Sequence, residues 1–122
     1  MRLVLDSDPR INLVRRYDAG EIVIGDQRIT RPCLVTPQQL LLDWSAHSID
    51  ELSAAQLEPI WTLHADIVLL GAGQTQAFPG AAIRAEFRNR RIALECMNLG
   101  AACRTYNILA NEARNVLAGL FP

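Results

Sequence analysis

The densest group of potentially reactive side chains lies between Glu95 and Asn107. In this segment Cys103 directly precedes Arg104 near a predicted helix start, and a cationic neighbour can lower a thiol pKa enough to form a nucleophile. The guanidinium of Arg104 could also orient an anionic group. A buried cysteine on an alanine-rich helix explains the thiol without chemistry, because cysteine packs as a small apolar residue. We favour that structural interpretation of Cys103.

The other polar side chains of this segment suit a strand-to-helix junction. Asn98 can cap the helix, and Arg104 can reach Glu95 or another carboxylate. Thr105 and Asn107 can hydrogen-bond backbone groups that are exposed where strands end. The segment therefore predicts either a buried polar brace or one wall of a groove, and the environment of Arg104 distinguishes the two.

Histidine and metal chemistry have little support in the sequence. His47 and His64 are the only histidines, and neither lies in an HxxxH spacing or beside a cysteine pair. His64 precedes Asp66 and an apolar strand, so it could act as an acid or base, but a loop histidine satisfied by its neighbours is commoner. We predict no metal site and no cofactor, and we assign no catalytic residue.

Two further patterns have a functional and a structural interpretation. Gly71-Ala72-Gly73 follows an apolar run, as in a dinucleotide-binding loop, but Gln76 replaces the third glycine and Pro79 delays the helix. A tight strand-to-loop turn is the better interpretation. Arginines recur at positions 84, 88 and 91, and a helix extending that far would align them as an anion patch. The solvated face of an amphipathic helix explains them without any ligand, and we favour that interpretation.

Composition limits the classes of function. The chain has 122 residues, of which 50% are hydrophobic and 20% charged, so we expect residues 1–122 to form one domain. The formal net charge of -1 makes nucleic-acid binding unlikely. No residue is lysine, which excludes lysine Schiff-base chemistry and, with twelve arginines, is typical of a GC-rich bacterial genome. An odd number of cysteines and no transmembrane segment predict a cytoplasmic protein.

The elements that position these residues follow from apolar periodicity and turn formers. We expect three short strands between Ile11 and Thr36, with a further strand possible at residues 40–44. A helix capped by Ser53 and Gln56 should end or kink before Pro59.

The second half of the chain predicts a strand, helix, strand unit followed by a helix. Residues 67–70 are expected to be the central strand, followed by a helix from Pro79 to Asn89 and a parallel strand at residues 92–96. Apolar residues at helical spacing then predict one long helix from Gly100 to Leu120.

Taken together, these motifs resemble a known family. The run from Glu95 through Arg104-Thr105-Tyr106-Asn107, and Gly71-Ala72-Gly73 after its strand, are similar to two motifs of a small domain family of unknown function. That family includes mitochondrial complex I assembly factor three and the adipogenesis-associated domain protein. Ala72 and Leu99 depart from its pattern, in which threonine is usual at both positions, so two hydroxyls are missing here.

The resemblance implies an α/β fold with three layers: a central mixed β-sheet, a small N-terminal β layer, and covering helices. It implies no established enzyme activity. Our first hypothesis is therefore a noncatalytic protein-interaction or assembly module with an unidentified protein partner. Its candidate surface is the junction groove, which we define by eight residues: Gly71, Ala72, Gly73, Glu95, Met97, Arg104, Thr105 and Asn107. The alternative is a small anionic-ligand-binding protein or enzyme that uses Arg104 with Glu95 or Cys103.

Overall fold

The computed structural model describes residues 1–3 and 10–122. Eight strands and three helices lie in this part of the chain. The strands are β1 (Val14–Asp18), β2 (Glu21–Ile24), β3 (Gln27–Ile29), β4 (Cys33–Val35), β5 (Leu40–Leu41), β6 (Ile67–Ala72), β7 (Ala93–Met97) and β8 (Val116–Phe121). The helices are α1 (Ala54–Thr62), α2 (Ala81–Asn89) and α3 (Leu99–Asn111).

A five-stranded mixed sheet forms the centre of the molecule, with the strand order β5-β4-β8-β6-β7. Strand β6 pairs in parallel with β7 and β8, whereas β8 pairs antiparallel with β4. The middle strand is therefore β8, and every one of its residues is buried. Residues 67–70, which the sequence predicted as the central strand, lie beside it in β6. A continuous apolar run suits both strands because both faces of the sheet are covered.

The N-terminal strands form a second, smaller sheet. It is antiparallel with the order β1-β2-β3, and its turns contain Gly20 and Gly25 at φ +84° and +59°. Glycine adopts these left-handed conformations without a steric penalty. The segment from Ile11 to Thr36 thus contains four strands rather than the predicted three, because the polar and short β3 gives only a weak strand pattern.

Two cores flank the central sheet and confirm the layered α/β architecture. The first core lies between the central sheet, the small sheet and α3, and includes Val116, Ala118 and Leu120 from one face of β8. The second core lies between the opposite face, α1 and α2, and includes Leu117 and Phe121. This alternation follows from the twofold side-chain period of a strand. Helix α3 therefore shares its face of the sheet with the small β layer, whereas α1 and α2 cover the other face.

The prediction of one helix from Gly100 to Leu120 is wrong, because α3 ends at Asn111 and the chain then forms β8. Ala113 adopts φ +59° after the helix. Its N–H donates to the Ala110 carbonyl at 3.1 Å, and the Arg114 N–H donates to the Leu109 carbonyl at 3.0 Å. These two bonds form a Schellman motif, which ends helices and usually has glycine where this chain has alanine.

The sequence predicted that α1 ends or kinks near Glu58, and the predicted end is wrong. The helix begins after Ser53, whose N–H donates to Oε1 of Gln56 at 3.1 Å as the capping pattern predicted, and it continues to Thr62. Leu57 and Ile60 lie on either side of the proline and are almost fully buried in the second core. Burial of Ile60 keeps the chain helical past Pro59, because tertiary packing outweighs the one backbone hydrogen bond that proline cannot make.

The predicted strand, helix, strand unit is confirmed in its elements and in its strand direction. Helix α2 begins at Ala81 with Gly80 as its N-cap, two residues later than the sequence predicted. Strand β7 extends to Met97 and pairs in parallel with β6. The carboxyl ends of both strands therefore lie at the same edge of the sheet, where α3 begins.

Gly119 on β8 provides a test of this packing. A Cβ atom there would lie 2.8 Å from Cδ2 of Leu70 and 3.2 Å from the Trp44 ring. We expect Gly119→Ala to lower the free energy of unfolding by about 1–3 kcal/mol, as overpacking does in dense cores. Urea denaturation measures it. Gly80→Ser is the matched control, because its side chain would enter open space and serine is a good N-cap. Equal stability of both variants would contradict the central position of β8.

Candidate functional site

The junction groove begins where α3 approaches β6 closely. Gly71 is the register partner of Met97 on β7, and a Cβ atom on Gly71 would lie 2.3 Å from Cβ of Ala102. The Leu99 N–H donates to the Gly73 carbonyl at 3.0 Å. Gly73 itself has φ +59°, a conformation that favours glycine. Gly73 therefore lies at the strand-to-loop turn that the sequence predicted, whereas Gly71 lies within β6 and permits the close approach of α3, which was not predicted.

The first turn of α3 is satisfied by its own chain. Oδ1 of Asn98 accepts the Ala101 N–H at 2.8 Å, which confirms the predicted helix cap. The Ala102 N–H donates to the Asn98 carbonyl at 3.0 Å. Ala72 packs against the second core and Leu99 is buried in the first. Ala72 and Leu99, where the resembling family usually has threonine, thus contribute apolar contacts on opposite faces of the sheet.

The edge strand β7 contributes a second part of the groove. Glu95 pairs in register with Leu69, which lies in the first core, so its side chain projects on the α3 face of the sheet. Glu95 is exposed, and Met97, two residues further along the same face, is half-buried against the first core. In the loop after β6, Nε2 of Gln76 donates to the Cys96 carbonyl at 3.1 Å.

Arg104 lies on the outer surface of α3 and contacts Tyr17 at the end of β1. Nη1 of Arg104 donates to the Tyr17 hydroxyl at 2.6 Å. The guanidinium carbon is 6.0 Å from the centre of the Tyr17 ring. Gly100 leaves room for that ring, since a Cβ atom there would lie 2.7 Å from it. In the described part of the chain no ion pair joins Arg104 to Glu95, although the sequence made one possible.

Asn107 and Tyr106 attach α3 to the start of β1. Asn107 is only 4% exposed, and its side chain accepts the Val14 N–H and donates to the Val14 carbonyl, each at 2.9 Å. The Tyr106 hydroxyl donates to the Asn12 carbonyl at 2.8 Å. Asn107 thus bonds backbone groups at the end of a strand, as the sequence predicted, although these groups are buried. Thr105 is half-buried and, by helical spacing, lies on the flank of α3 away from Asn107.

Cys103 is unsuited to nucleophilic chemistry. Its side chain is fully buried in the first core, and burial raises the pKa of the thiol to about 12. Cys33 adds to this increase, whereas Arg104 opposes it with a smaller effect. Burial likewise raises the pKa of Cys33 to about 12. Burial therefore favours protonated thiols at neutral pH, which supports the structural interpretation of Cys103 over a nucleophile activated by Arg104.

The histidines and the arginine cluster give no site in the described residues. His47 and His64 are exposed, and no group of three potential metal ligands occurs within residues 1–3 and 10–122. Arg91 lies beyond the end of α2 at φ +58°, so the helix does not align it with Arg84 and Arg88. Arg90 instead lies 4.2 Å from the Trp61 ring centre and pairs with Glu86 at 3.9 Å.

The structure therefore divides seven of the eight predicted residues into two groups, and Thr105, on the flank of α3 away from Asn107, belongs to neither. One group lies where β6 and β7 meet the start of α3 and contains Gly71, Ala72, Gly73, Glu95 and Met97. Arg104 and Asn107 turn toward β1, where they contact Tyr17 and Val14. Sequence reasoning missed Tyr17, because no local pattern connects it with a residue 87 positions away.

We predict that Asn107→Asp destabilises the protein by about 2–4 kcal/mol at neutral pH, because a buried carboxylate would face the Val14 carbonyl without a donor. Burial should raise the pKa of the new carboxyl above its unfolded value of about 3.9, so the protonated form can donate to that carbonyl. The loss of stability should therefore be smallest below the unfolded pKa of the carboxyl group. It should grow as the pH rises through the raised pKa of the folded state. Denaturant titrations across pH measure it.

The matched control is Asn111→Asp, at an exposed position of the same helix. It should cost under about 1 kcal/mol, which is the usual effect of an added negative charge near a helix C-terminus. Similar losses in both variants, with no difference in pH dependence, would contradict the role of Asn107.

Thiol reactivity provides a second prediction. In the native protein at pH 8, a thiol reagent should modify Cys96 slowly, because Cys96 is half-buried and its pKa is raised by burial. Cys33 and Cys103 should resist modification until the protein unfolds, after which all three cysteines react. Mass spectrometry of labelled peptides measures each site. Rapid native labelling of Cys103 would return a nucleophilic role to consideration.

The sequence of this chain is similar to those of two proteins from other organisms. The chain is 28% identical to the bovine (Bos taurus) NADH dehydrogenase (ubiquinone) 1 alpha subcomplex assembly factor 3, over 98% of this chain and 66% of that protein. It thus spans slightly under two thirds of that relative. It is also 26% identical to the 13 kDa major membrane protein of Francisella tularensis, over 84% of each. In the described residues of this chain, no helix is long and apolar enough to cross a membrane.

A solved structure and a family model complete the comparison. The NMR structure of a Xanthomonas campestris protein matches with a TM-score of 0.84 and 30% identity, covering 98% of this chain and 92% of that one. The model of a family described as protein of unknown function (DUF498/DUF598) matches residues 14–121, which include the eight strands and three helices of the described residues. The predicted family resemblance is confirmed, and the chain belongs to the DUF498/DUF598 family.

Proposed function

We propose that this chain is a noncatalytic protein-interaction or assembly module whose partner binds at the junction groove. The observation that supports this most directly is that the reactive groups at the junction are buried or hydrogen-bonded within the chain. The Cys103 thiol is buried, and Asn107 is committed to the Val14 backbone. Hydrogen bonds within the chain engage the N–H groups of Leu99, Ala101 and Ala102. These groups hold the helix and strands in place instead of facing a substrate.

The side chains that remain at the surface of the groove suit a protein partner. Met97 is half-buried, Glu95 is exposed on the same strand, and Arg104 is exposed on α3. Methionine and arginine are enriched in protein interfaces, and charged side chains at a rim contribute mainly to specificity and association rate. Gly71 and Asn107 contribute by fixing the position of α3, while the exposed side chains contact the partner.

Similarity to an assembly factor favours the same class of function. The bovine relative is named as an assembly factor of NADH dehydrogenase, and such a factor acts through other proteins. The chain covers 66% of that relative, so the identity of its partner does not transfer to this chain. The alternative was an enzyme that binds an anionic ligand through Arg104 and reacts through Glu95 or Cys103. Cys103 is less suited to that role, because it is buried and burial raises its pKa to about 12.

We predict that Glu95→Arg abolishes capture of the native partner, because it reverses an exposed charge at the edge of the groove. The folded wild type and the variant would each be immobilised and exposed to extract from the source cells, with bound proteins quantified by mass spectrometry. A supporting result is one protein enriched on the wild type and reduced at least about tenfold on the variant. Arg104→Ala, on the exposed surface of α3 beside Tyr17, should reduce capture of the same protein.

The control is Glu58→Arg, which makes the same charge change at an exposed position of α1. Helix α1 covers the opposite face of the central sheet, so this variant should capture as much partner as the wild type. Thermal unfolding of each variant must match that of the wild type. If no protein binds above background, or if Glu95→Arg and Glu58→Arg bind equally, the proposed function is wrong.

A further inference from the structure

The outward face of α3 contains a row of three exposed side chains: Arg104, Ile108 and Glu112. They recur every four residues, so they form one continuous ridge along the helix surface. The opposite side of the helix contributes Ala102, Tyr106 and Ala110 to the first core, so the ridge points away from the protein interior. Ile108 is 59% exposed, although isoleucine is among the residue types most often buried.

The order of these residues makes the ridge complementary to a reversed copy of itself. A cation and an anion lie at equal distances on either side of the apolar residue. When two such ridges meet in opposite directions, Ile108 faces Ile108, and each Arg104 faces the other copy's Glu112. We propose that this ridge is the contact surface of a symmetric dimer in which the two α3 helices pack antiparallel about Ile108.

Helix packing geometry permits this contact. Ridges formed by residues four apart interdigitate when two helices cross at about −50°, with their axes about 8–10 Å apart. Arg104 and Glu112 are separated by about 12 Å along the axis at 1.5 Å per residue. Each charged side chain therefore lies about one turn from the crossing point, where a long side chain of the other helix can reach it. A twofold axis through the contact makes both ion pairs equivalent.

The positions of the two charges favour a second copy as the occupant. Glu112 is the C-cap of α3, where a negative charge is unfavourable because the helix dipole is already negative at that end. A guanidinium from another molecule would offset that repulsion. Arg104 is held against α3 by its bond to Tyr17, so less conformational freedom is lost when it pairs. One apolar residue flanked by two ion pairs forms a small contact, typical of weak dimers with dissociation constants of roughly 0.1–1 mM.

This self-association is independent of the proposed function. Ile108 and Glu112 lie outside the junction groove, and only Arg104 belongs to both surfaces. Variants at Ile108 or Glu112 therefore test the dimer without altering the groove. Loss of dimerisation with unchanged partner capture would separate the two proposals, as would the reverse result.

The test is sedimentation velocity of the full chain over a range of concentrations up to about 1 mM, where a weak dimer is populated. The wild type should show a reversible monomer–dimer equilibrium. Arg104→Glu and Glu112→Arg should each weaken it more than about tenfold, because like charges then face each other at both ends of the contact. Ile108→Asp should do the same by placing two carboxylates at the twofold axis. The control is Glu58→Arg on α1, which should leave the equilibrium unchanged.

Two complementary experiments separate charge pairing from a change in folding. The double variant Arg104→Glu with Glu112→Arg exchanges the two charges and should recover the wild-type equilibrium, although it lacks the bond to Tyr17. A mixture of the two single variants should form a heterodimer, because every facing pair is then opposite in charge. A wild type that is monomeric at about 1 mM would overturn the proposal. Dimers that persist in all three single variants, or a mixture that fails to associate, would also overturn it.

Discussion

The position of α3 depends on the absence of a side chain at Gly71. With a Cβ atom only 2.3 Å from Cβ of Ala102, any other residue would force the helix away from β6. That shift would also alter the first core, which α3 shares with both sheets. Dense cores resist such movement, because a gap of even 0.5–1 Å loses about a quarter to a half of the local dispersion energy. The close approach of α3 to β6 thus holds the two sheets in their relative positions.

The side chain of Asn107 satisfies the backbone groups of Val14 that this arrangement buries. Because α3 lies beside the small sheet on one face of the central sheet, the edge of β1 that does not pair with β2 faces the helix at Val14. The N–H and carbonyl groups of that residue are buried and would be unsatisfied without the amide of Asn107. The net contribution of such a hydrogen bond is about 1 kcal/mol, whereas an unpaired buried group costs about 1–3 kcal/mol. Asn107 therefore acts mainly by preventing a penalty, which explains a polar side chain that is only 4% exposed.

Local signals were sufficient for much of the fold, and long-range contacts account for most of the differences. The Ser53 and Gln56 pattern predicted the start of α1, and Gly71-Ala72-Gly73 predicted the strand-to-loop turn after β6. The end of α3 was missed because Ala113 adopts the left-handed conformation in which glycine is usual. Apolar residues of β8 also fit a helical period by coincidence, so the middle strand was assigned to a helix. The continuation of α1 past Pro59 depended on the burial of Ile60, which no local pattern reveals.

The same distinction applies to the candidate site. Polar residue types at the junction could be identified from the sequence, but their partners lie far along the chain: Tyr17 for Arg104 and Val14 for Asn107. These partners change the chemistry of the segment. Asn107 and Cys103 are buried and unavailable, whereas Arg104 is exposed and held at the surface by a tyrosine. Cys103 and Arg104 suggested catalysis because they are adjacent in the sequence. The geometry of α3 places Cys103 on the buried side of the helix and Arg104 on the exposed side. The exposed side contains Arg104, Ile108 and Glu112, and it is this side that the proposed contacts with other molecules use.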